Sequence, residues 1–204
     1  MTTLVAAQYE DFCIIAADSQ STVAYRKMDS SPVGKIQQNG KYLIAASGSG
    51  RGANILSFDW NPPNPVGDLD TFITRTLIPS MRKKFIDSGH ELRMDGSSSS
   101  FDNELLIAVK GQIYHIFEDY GWERCGTKLY GSGSGGEFAL GAMAALDVEK
   151  QTEFGEASAL IAEAVRIAST MDIFSGGLIQ VACQFANGKS IITTIDQAML
   201  TSLD

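Results

Sequence analysis

The first apolar blocks of the chain are Leu4-Val5-Ala6-Ala7 and Phe12-Cys13-Ile14-Ile15-Ala16-Ala17, separated by Tyr9-Glu10-Asp11. They read as two strands, the first running from Thr2 to Gln8 and the second ending in the acid Asp18. Short strand-like runs follow around Val23-Ala24-Tyr25, Gly34–Gln37 and Tyr42–Ala46. Asn39-Gly40 between the last two is a hairpin signal, so the first quarter predicts a meander of antiparallel strands. From Gly52 the pattern changes to a helical segment, Ala53–Phe58, ended by the prolines of Asn61-Pro62-Pro63-Asn64-Pro65. A second helix, capped by Asp68 or Asp70, carries Leu69, Phe72, Ile73, Leu77, Met81 and Phe85 at three- and four-residue spacing, with a kink predicted at Pro79.

Asp95–Ser100, rich in serine, reads as a surface loop rather than a domain boundary. Strands return at Glu104–Val109 and Gln112–Phe117, joined by Lys110-Gly111. Gly131–Gly136 then opens a helix over Glu137–Leu146, a further helix covers about Ala157–Ser169, and strands Leu178–Phe185 and Ser190–Ile195 meet at Asn187-Gly188. The order is strands, two helices, strands, two helices, strands. Helices segregated from antiparallel hairpins predict an α+β fold in which two sheets pack face to face between helical layers.

At 204 residues, 44% hydrophobic and 20% charged, the chain suits one compact domain over 1–204. A net charge of −8 opposes a phosphate-backbone partner, so no nucleic acid is expected. No apolar run approaches the ~20 residues of a membrane span. There is no basic segment leading into an apolar one at the start, so the expectation is a cytoplasmic protein without a membrane partner. Cys13 and Cys183 lie in apolar runs, Cys125 follows Trp122-Glu123-Arg124, and no pair has zinc-ligand spacing. These read as buried thiols, and no metal or cofactor is expected.

With Met1 removed, Thr2 would carry a hydroxyl nucleophile and a free α-amine on neighbouring atoms. An α-amine titrates near ~7.7–8.0, close to working pH, and can take the hydroxyl proton. The chain holds only His90 and His115, which leaves a Ser/His/Asp triad little to draw on. Gly131-Ser132-Gly133-Ser134-Gly135-Gly136 fits G-x-G-x-x-G before a helix, but no βαβ unit or ribose-binding acid follows. The same residues also serve as a tight strand-to-helix junction. Gly48-Ser49-Gly50-Arg51-Gly52 offers free N–H groups to an anion, or a cap at Ser49. Lys35 alone is an edge lysine, and Asp172–Gly177 alone is a turn.

Together and in this order, these features resemble proteasome β-subunits and their bacterial relative HslV, the N-terminal-nucleophile (Ntn) threonine peptidases. The matching pieces are Thr2-Thr3, Ala17-Asp18-Ser19-Gln20-Ser21-Thr22, Gly34-Lys35-Ile36, Ser49–Asn54, Tyr130–Ser134, and Asp172 with Ser175-Gly176-Gly177. The resemblance implies a four-layer αββα Ntn-hydrolase sandwich. It implies Thr2 as nucleophile, Lys35 beside its hydroxyl, Asp18 holding that lysine charged, and Gly50 as oxyanion donor. Ser132, Asp172 and Ser175 would surround the amine. Thr22 and Gly50–Gly52 would bind the substrate backbone as an added strand. Ser21, Val33, Gly48, Gly52 and Leu56 would line a roomy apolar pocket.

Departures from the pattern are specific. Gln20 is HslV-like, whereas the Gly-Ser-Gly-Ser and Ser-Gly-Gly runs are proteasome-like; Arg26–Val33 is one residue longer than usual, and Asn54 replaces a frequent aspartate. With Met1 directly before Thr2, a general aminopeptidase would expose the nucleophile. The resemblance further implies an unfolded polypeptide substrate and a homo-oligomeric ring or double ring, with Ala53–Phe58 and Leu69–Phe85 as candidate ring contacts. A regulatory ATPase ring is a candidate partner. An inactive ring or scaffold subunit and an Ntn amidohydrolase acting on small amides are the alternatives.

Overall fold

The structure, a computed structural model, describes residues 2–23, 26–28, 34–93 and 99–197. Met1, Ala24, Tyr25, Val33 and most of the Asp95–Ser100 loop, all named above, lie outside them. The opening strands are β1 (Leu4–Gln8) and β2 (Phe12–Asp18), followed by β3 (Ser21–Val23), β4 (Arg26–Met28), β5 (Ile36–Asn39) and β6 (Tyr42–Gly48). Strands β7 (Leu92–Arg93), β8 (Ser99–Ser100), β9 (Asn103–Val109), β10 (Gln112–Ile116), β11 (Trp122–Glu123) and β12 (Leu129–Ser132) lie mid-chain. β13 (Ile179–Phe185) and β14 (Ser190–Ile195) come last. Two five-stranded antiparallel sheets result, in the orders β12-β1-β2-β13-β14 and β11-β10-β9-β6-β5.

The predicted single meander is therefore corrected. β2 pairs along its length with β1 on one side and β13 on the other, so it has no free edge for the strands that follow. β5 and β6 build the second sheet, while β3 and β4 form a separate ribbon.

Burial explains the run of seven buried residues in β2, because its two faces meet different partners. Cys13, Ile15 and Ala17 pack against Ile36, Leu43, Leu106 and Ala108 of the other sheet. Phe12, Ile14 and Ala16 pack against Ala157, Ile161 and Val165 of a long helix. Ile15 is fully buried, and a side chain of that kind contributes ~1.5–3 kcal/mol by leaving water. A third cluster joins the outer face of the second sheet, through Tyr42, Ile44 and Ile107, to Leu56, Phe72, Leu77 and Phe85. The result is a mixed α+β sandwich.

Helix α1 spans Gly50–Asn54 and widens into a π-helical turn over Ile55–Asp59. The Asn39 amide donates to the carbonyls of Leu56 (2.7 Å) and Trp60 (2.8 Å), satisfying acceptors that a helix end leaves open. Helix α2 (Leu69–Phe72) is capped by Asp68, whose carboxylate accepts from Thr71 N at 2.9 Å. It continues through a π-helical stretch, Ile73–Leu77, into α3 (Ile78–Asp87). Pro79 offers no N–H and its ring crowds the carbonyl four residues back, so the widened turn immediately before it absorbs the predicted kink. Helices α4 (Gly136–Ala145) and α5 (Phe154–Met171) cover the first sheet. No helix among the described residues is long and apolar enough to cross a membrane.

Candidate active site

Thr2 sits at the entry to β1, buried to 5% exposure beside the end of β2. Asp18, the last residue of β2, is fully buried. Its Oδ1 accepts from Thr3 N (2.9 Å), and its Oδ2 accepts from Gln20 N (3.1 Å) and Gly176 N (3.0 Å). Three backbone donors fix the carboxylate in one orientation. Lys35, just before β5 of the opposite sheet, reaches across to it with Nζ–Oδ1 at 2.6 Å and donates to Thr2 Oγ1 at 3.0 Å. One ammonium thus bridges the carboxylate and the hydroxyl.

Two opposing effects act on the cation of this bridge. Burial pulls the Lys35 ammonium below its ordinary value, and the charge and hydrogen bond of Asp18 restore only part of the loss. Asp18 holds the cation in place without fully compensating its desolvation.

Ser19 N and Gln20 N both donate to Gly176 O, which folds the Ser175-Gly176-Gly177 turn onto the end of β2. That turn delivers Asp172 and Ser175. Asp172 Oδ2 accepts from Ser175 Oγ (2.6 Å) and Ser134 Oγ (2.7 Å), and Oδ1 accepts from Phe174 N (3.1 Å). Burial alone would raise the Asp172 carboxyl, but these hydrogen bonds outweigh it and hold the group below its usual range. Thr3 Oγ1 lies 2.6 Å from Ser175 Oγ and joins the cluster to the chain start. Gly135 leaves the necessary space, since a Cβ there would collide with Thr3 Oγ1.

The predicted serine is corrected. Ser132 lies at the end of β12 with its hydroxyl bonded to Ser47 Oγ (2.7 Å) and Glu104 Oε2 (2.7 Å), so Ser134 takes the place beside Asp172. The two serines are separated by Gly133, whose positive φ of 80° turns the chain between them. Spacing within a Gly-Ser repeat could not tell them apart. Thr3 and Glu104 were likewise missed. A threonine beside the nucleophile carries a visible signal, but a single strand glutamate carries none.

A cleft of about 290 Å³ opens over Thr2 and Lys35, lined also by Ser21, Thr22, Gly48, Ser49, Gly50 and Phe58. Gly50 starts α1 behind the cap Ser49, whose hydroxyl accepts from Gly52 N at 3.5 Å. Its own N–H has no acceptor among the described residues, as the first residue of a helix requires. Gly52 does not line the cleft: a Cβ there would collide with Asn103 Oδ1 and meet His90 Nε2 at 2.8 Å. Leu56 is fully buried in the core below. Of the expected pocket positions, Ser21 and Gly48 line the cleft, Gly52 and Leu56 do not, and Val33 lies outside the described residues; Gln37, Ala46, Ala53, Asn54 and Ser57 also line it.

Chemically, the arrangement pairs a hydroxyl with a cation that favours its alkoxide, next to a free helix N–H able to accept developing negative charge. No cluster of metal-ligating side chains occurs among the described residues.

No family model and no curated protein matches the sequence. Among solved structures, the chain is similar to Thiobacillus denitrificans BPH, with a TM-score of 0.74 and 20% identity over 90% of this chain and 98% of that one. It is also similar to Thiobacillus denitrificans BPH in complex with epoxomicin, with a TM-score of 0.71 and 22% identity over the same 90% and 98%. At these identities the likeness is one of fold.

Proposed function

We propose that this chain is a proteasome-like subunit, a threonine-type endopeptidase that cleaves peptide bonds through an ester on Thr2 once Met1 is removed. The observation that carries this reading is the Lys35 ammonium held between Thr2 Oγ1 and Asp18. The binding of epoxomicin by the similar Thiobacillus denitrificans protein supports it. The reading takes residues 1–204 as one Ntn-hydrolase domain. The three core clusters support a helix–sheet–sheet–helix order for its layers.

In the reaction, the Thr2 α-amine takes the hydroxyl proton while Lys35 stabilises the oxygen as it attacks the substrate carbonyl. The Gly50 N–H receives the oxyanion, a contribution that reaches ~2.7–4 kcal/mol per donor in acyl transfer. The C–N bond then breaks, and the ammonium formed on Thr2 returns the proton to the leaving amine. Water, deprotonated by the same amine, attacks the ester, and its C–O bond breaks to restore the hydroxyl. Asp172, Ser134, Ser175 and Thr3 keep the surroundings of the chain start fixed.

The substrate is an extended, unfolded polypeptide lying along Ser21–Thr22 and the Gly48–Gly50 turn, in a homo-oligomeric ring or double ring with a regulatory ATPase ring as candidate partner. The test is hydrolysis of fluorogenic peptides by wild type and Thr2→Ala. Activity in the first and none in the second is expected; equal activity would remove Thr2 from the reaction.

A further inference from the structure

Near Thr2, a short polar chain joins the two sheets. Ser132 ends β12 of the first sheet, while Ser47 in β6 and Glu104 in β9 belong to the second. Ser132 Oγ lies 2.7 Å from Glu104 Oε2 and 2.7 Å from Ser47 Oγ, and both serines are 5% exposed. An ionised carboxylate only accepts, so the single Ser132 hydroxyl proton must point at Glu104. Ser47 then has to donate to Ser132. Both hydroxyl protons therefore run toward one carboxylate, and that carboxylate fixes the direction of the chain.

Each serine precedes a glycine that touches the candidate site. Ser47 leads into Gly48, which has φ of 99° and lines the Thr2 cleft; a Cβ there would collide with Asp102 O. Ser132 leads into Gly133, which has φ of 80° and packs so closely on Thr2 that a Cβ would collide with the Thr2 carbonyl oxygen. Gly135 N also donates to that oxygen, at 3.2 Å. The two turns flanking Thr2 come from different sheets, and left-handed glycines hold neither of them by side-chain packing.

We infer that Glu104 is a positioning residue: through Ser132 and Ser47 it clamps the Gly133 turn and the Gly48 turn at a fixed separation around Thr2. Glu104 does not touch the reacting atoms. Its side chain is 42% exposed in a neighbouring cleft, with His115 Nε2 at 3.5 Å. The inference rests on the peptidase reading for its catalytic consequence but not for its geometry.

The test compares Glu104→Ala and Glu104→Gln with wild type by hydrogen exchange and peptide kinetics. The glutamine carbonyl can still accept from Ser132, so Glu104→Gln is expected to match wild type in exchange and to keep kcat within a few-fold. Glu104→Ala is expected to speed amide exchange in the segments around Gly48 and Gly133. Its kcat should fall by on the order of 10- to 100-fold, the scale of a displaced reacting group, while KM stays nearly constant. Unchanged exchange in Glu104→Ala, or a glutamine variant that behaves like alanine, overturns the clamp. Should Glu104→Ala fail to fold, Ser47→Ala removes only the outer link, and the clamp then requires faster exchange around Gly48. If wild type hydrolyses no peptide, the peptidase reading fails and the exchange data alone decide the clamp.

Discussion

Lys35 Nζ lies 3.0 Å from Thr2 Oγ1, and no neighbour in sequence brings them together. The contact exists because β1 and β5 belong to facing sheets, so the sandwich itself assembles the pair. Asp18 completes it from the end of β2, with Nζ–Oδ1 at 2.6 Å.

Removing Asp18 leaves Lys35, only 14% exposed, as a buried cation without its counter-charge. Asp18→Ala is expected to lose ~3–5 kcal/mol of stability, the usual cost of breaking a buried pair from one side. Urea denaturation of wild type and variant measures it, and a loss below about 1 kcal/mol would mean that the pair is effectively solvated.

The pH dependence follows from the depressed Lys35 value. Folded Lys35 gives up its proton more readily than unfolded Lys35. Its contribution to stability is therefore fully present above the ordinary lysine value of ~10.4 and is lost as pH falls through the folded value. On the proposed peptidase reading, activity is expected to behave oppositely, because deprotonation removes the cation beside the Thr2 hydroxyl. The alkaline limb of kcat should lie below ~10.4. It should move lower still in Asp18→Asn, where a restoring charge is gone. A limb unmoved by that substitution would separate Lys35 from the rate.

Asp172 is held low by donors, so removing one should raise it. Ser134→Ala is expected to shift the Asp172 titration upward, followed by carboxyl-carbon NMR. Ser132→Ala should leave it in place, since the Ser132 hydroxyl points to Glu104. The reverse pattern would place Ser132, not Ser134, beside Asp172. For stability the sign is fixed. The Asp172 contribution is present above the unfolded carboxylate value and disappears as pH falls through the depressed folded one.

Gly133→Ala combines a φ of 80° with a Cβ that would collide with the Thr2 carbonyl oxygen. It should cost more than about 1 kcal/mol from the backbone alone. Gly126→Ala, with open space around its Cβ, serves as the control. Similar thermal shifts in both variants would show that the turn tolerates a side chain.

Local patterns carried most of the elements into the sequence reading. β1 and β2 appear as apolar runs because both of their faces are buried, and the α2–α3 stripe appears because Phe72, Leu77, Met81 and Phe85 repeat along one face. Sheet membership was not legible. A strand run does not state which edge it will join, and β5 reads the same whether it extends the first sheet or starts the second. The site shows the same division. The family resemblance names Thr2, Asp18 and Lys35 together, and the structure brings their side chains into contact. The resemblance points to Ser132, whereas the turn at Gly133 decides which hydroxyl meets Asp172, and it is that of Ser134. Gly52 was assigned to the pocket, whereas Asn103 and His90, far away in sequence, account for its missing side chain.

The central claim is that Thr2, freed of Met1, is the nucleophile, and covalent labelling tests it most directly. The protein is incubated with epoxomicin, digested, and the peptide beginning at Thr2 is weighed. The account predicts a mass increase of one inhibitor on that peptide, absent from any copies that keep Met1 and absent after Lys35→Ala. An unmodified Thr2 peptide from fully Met1-free protein would contradict it.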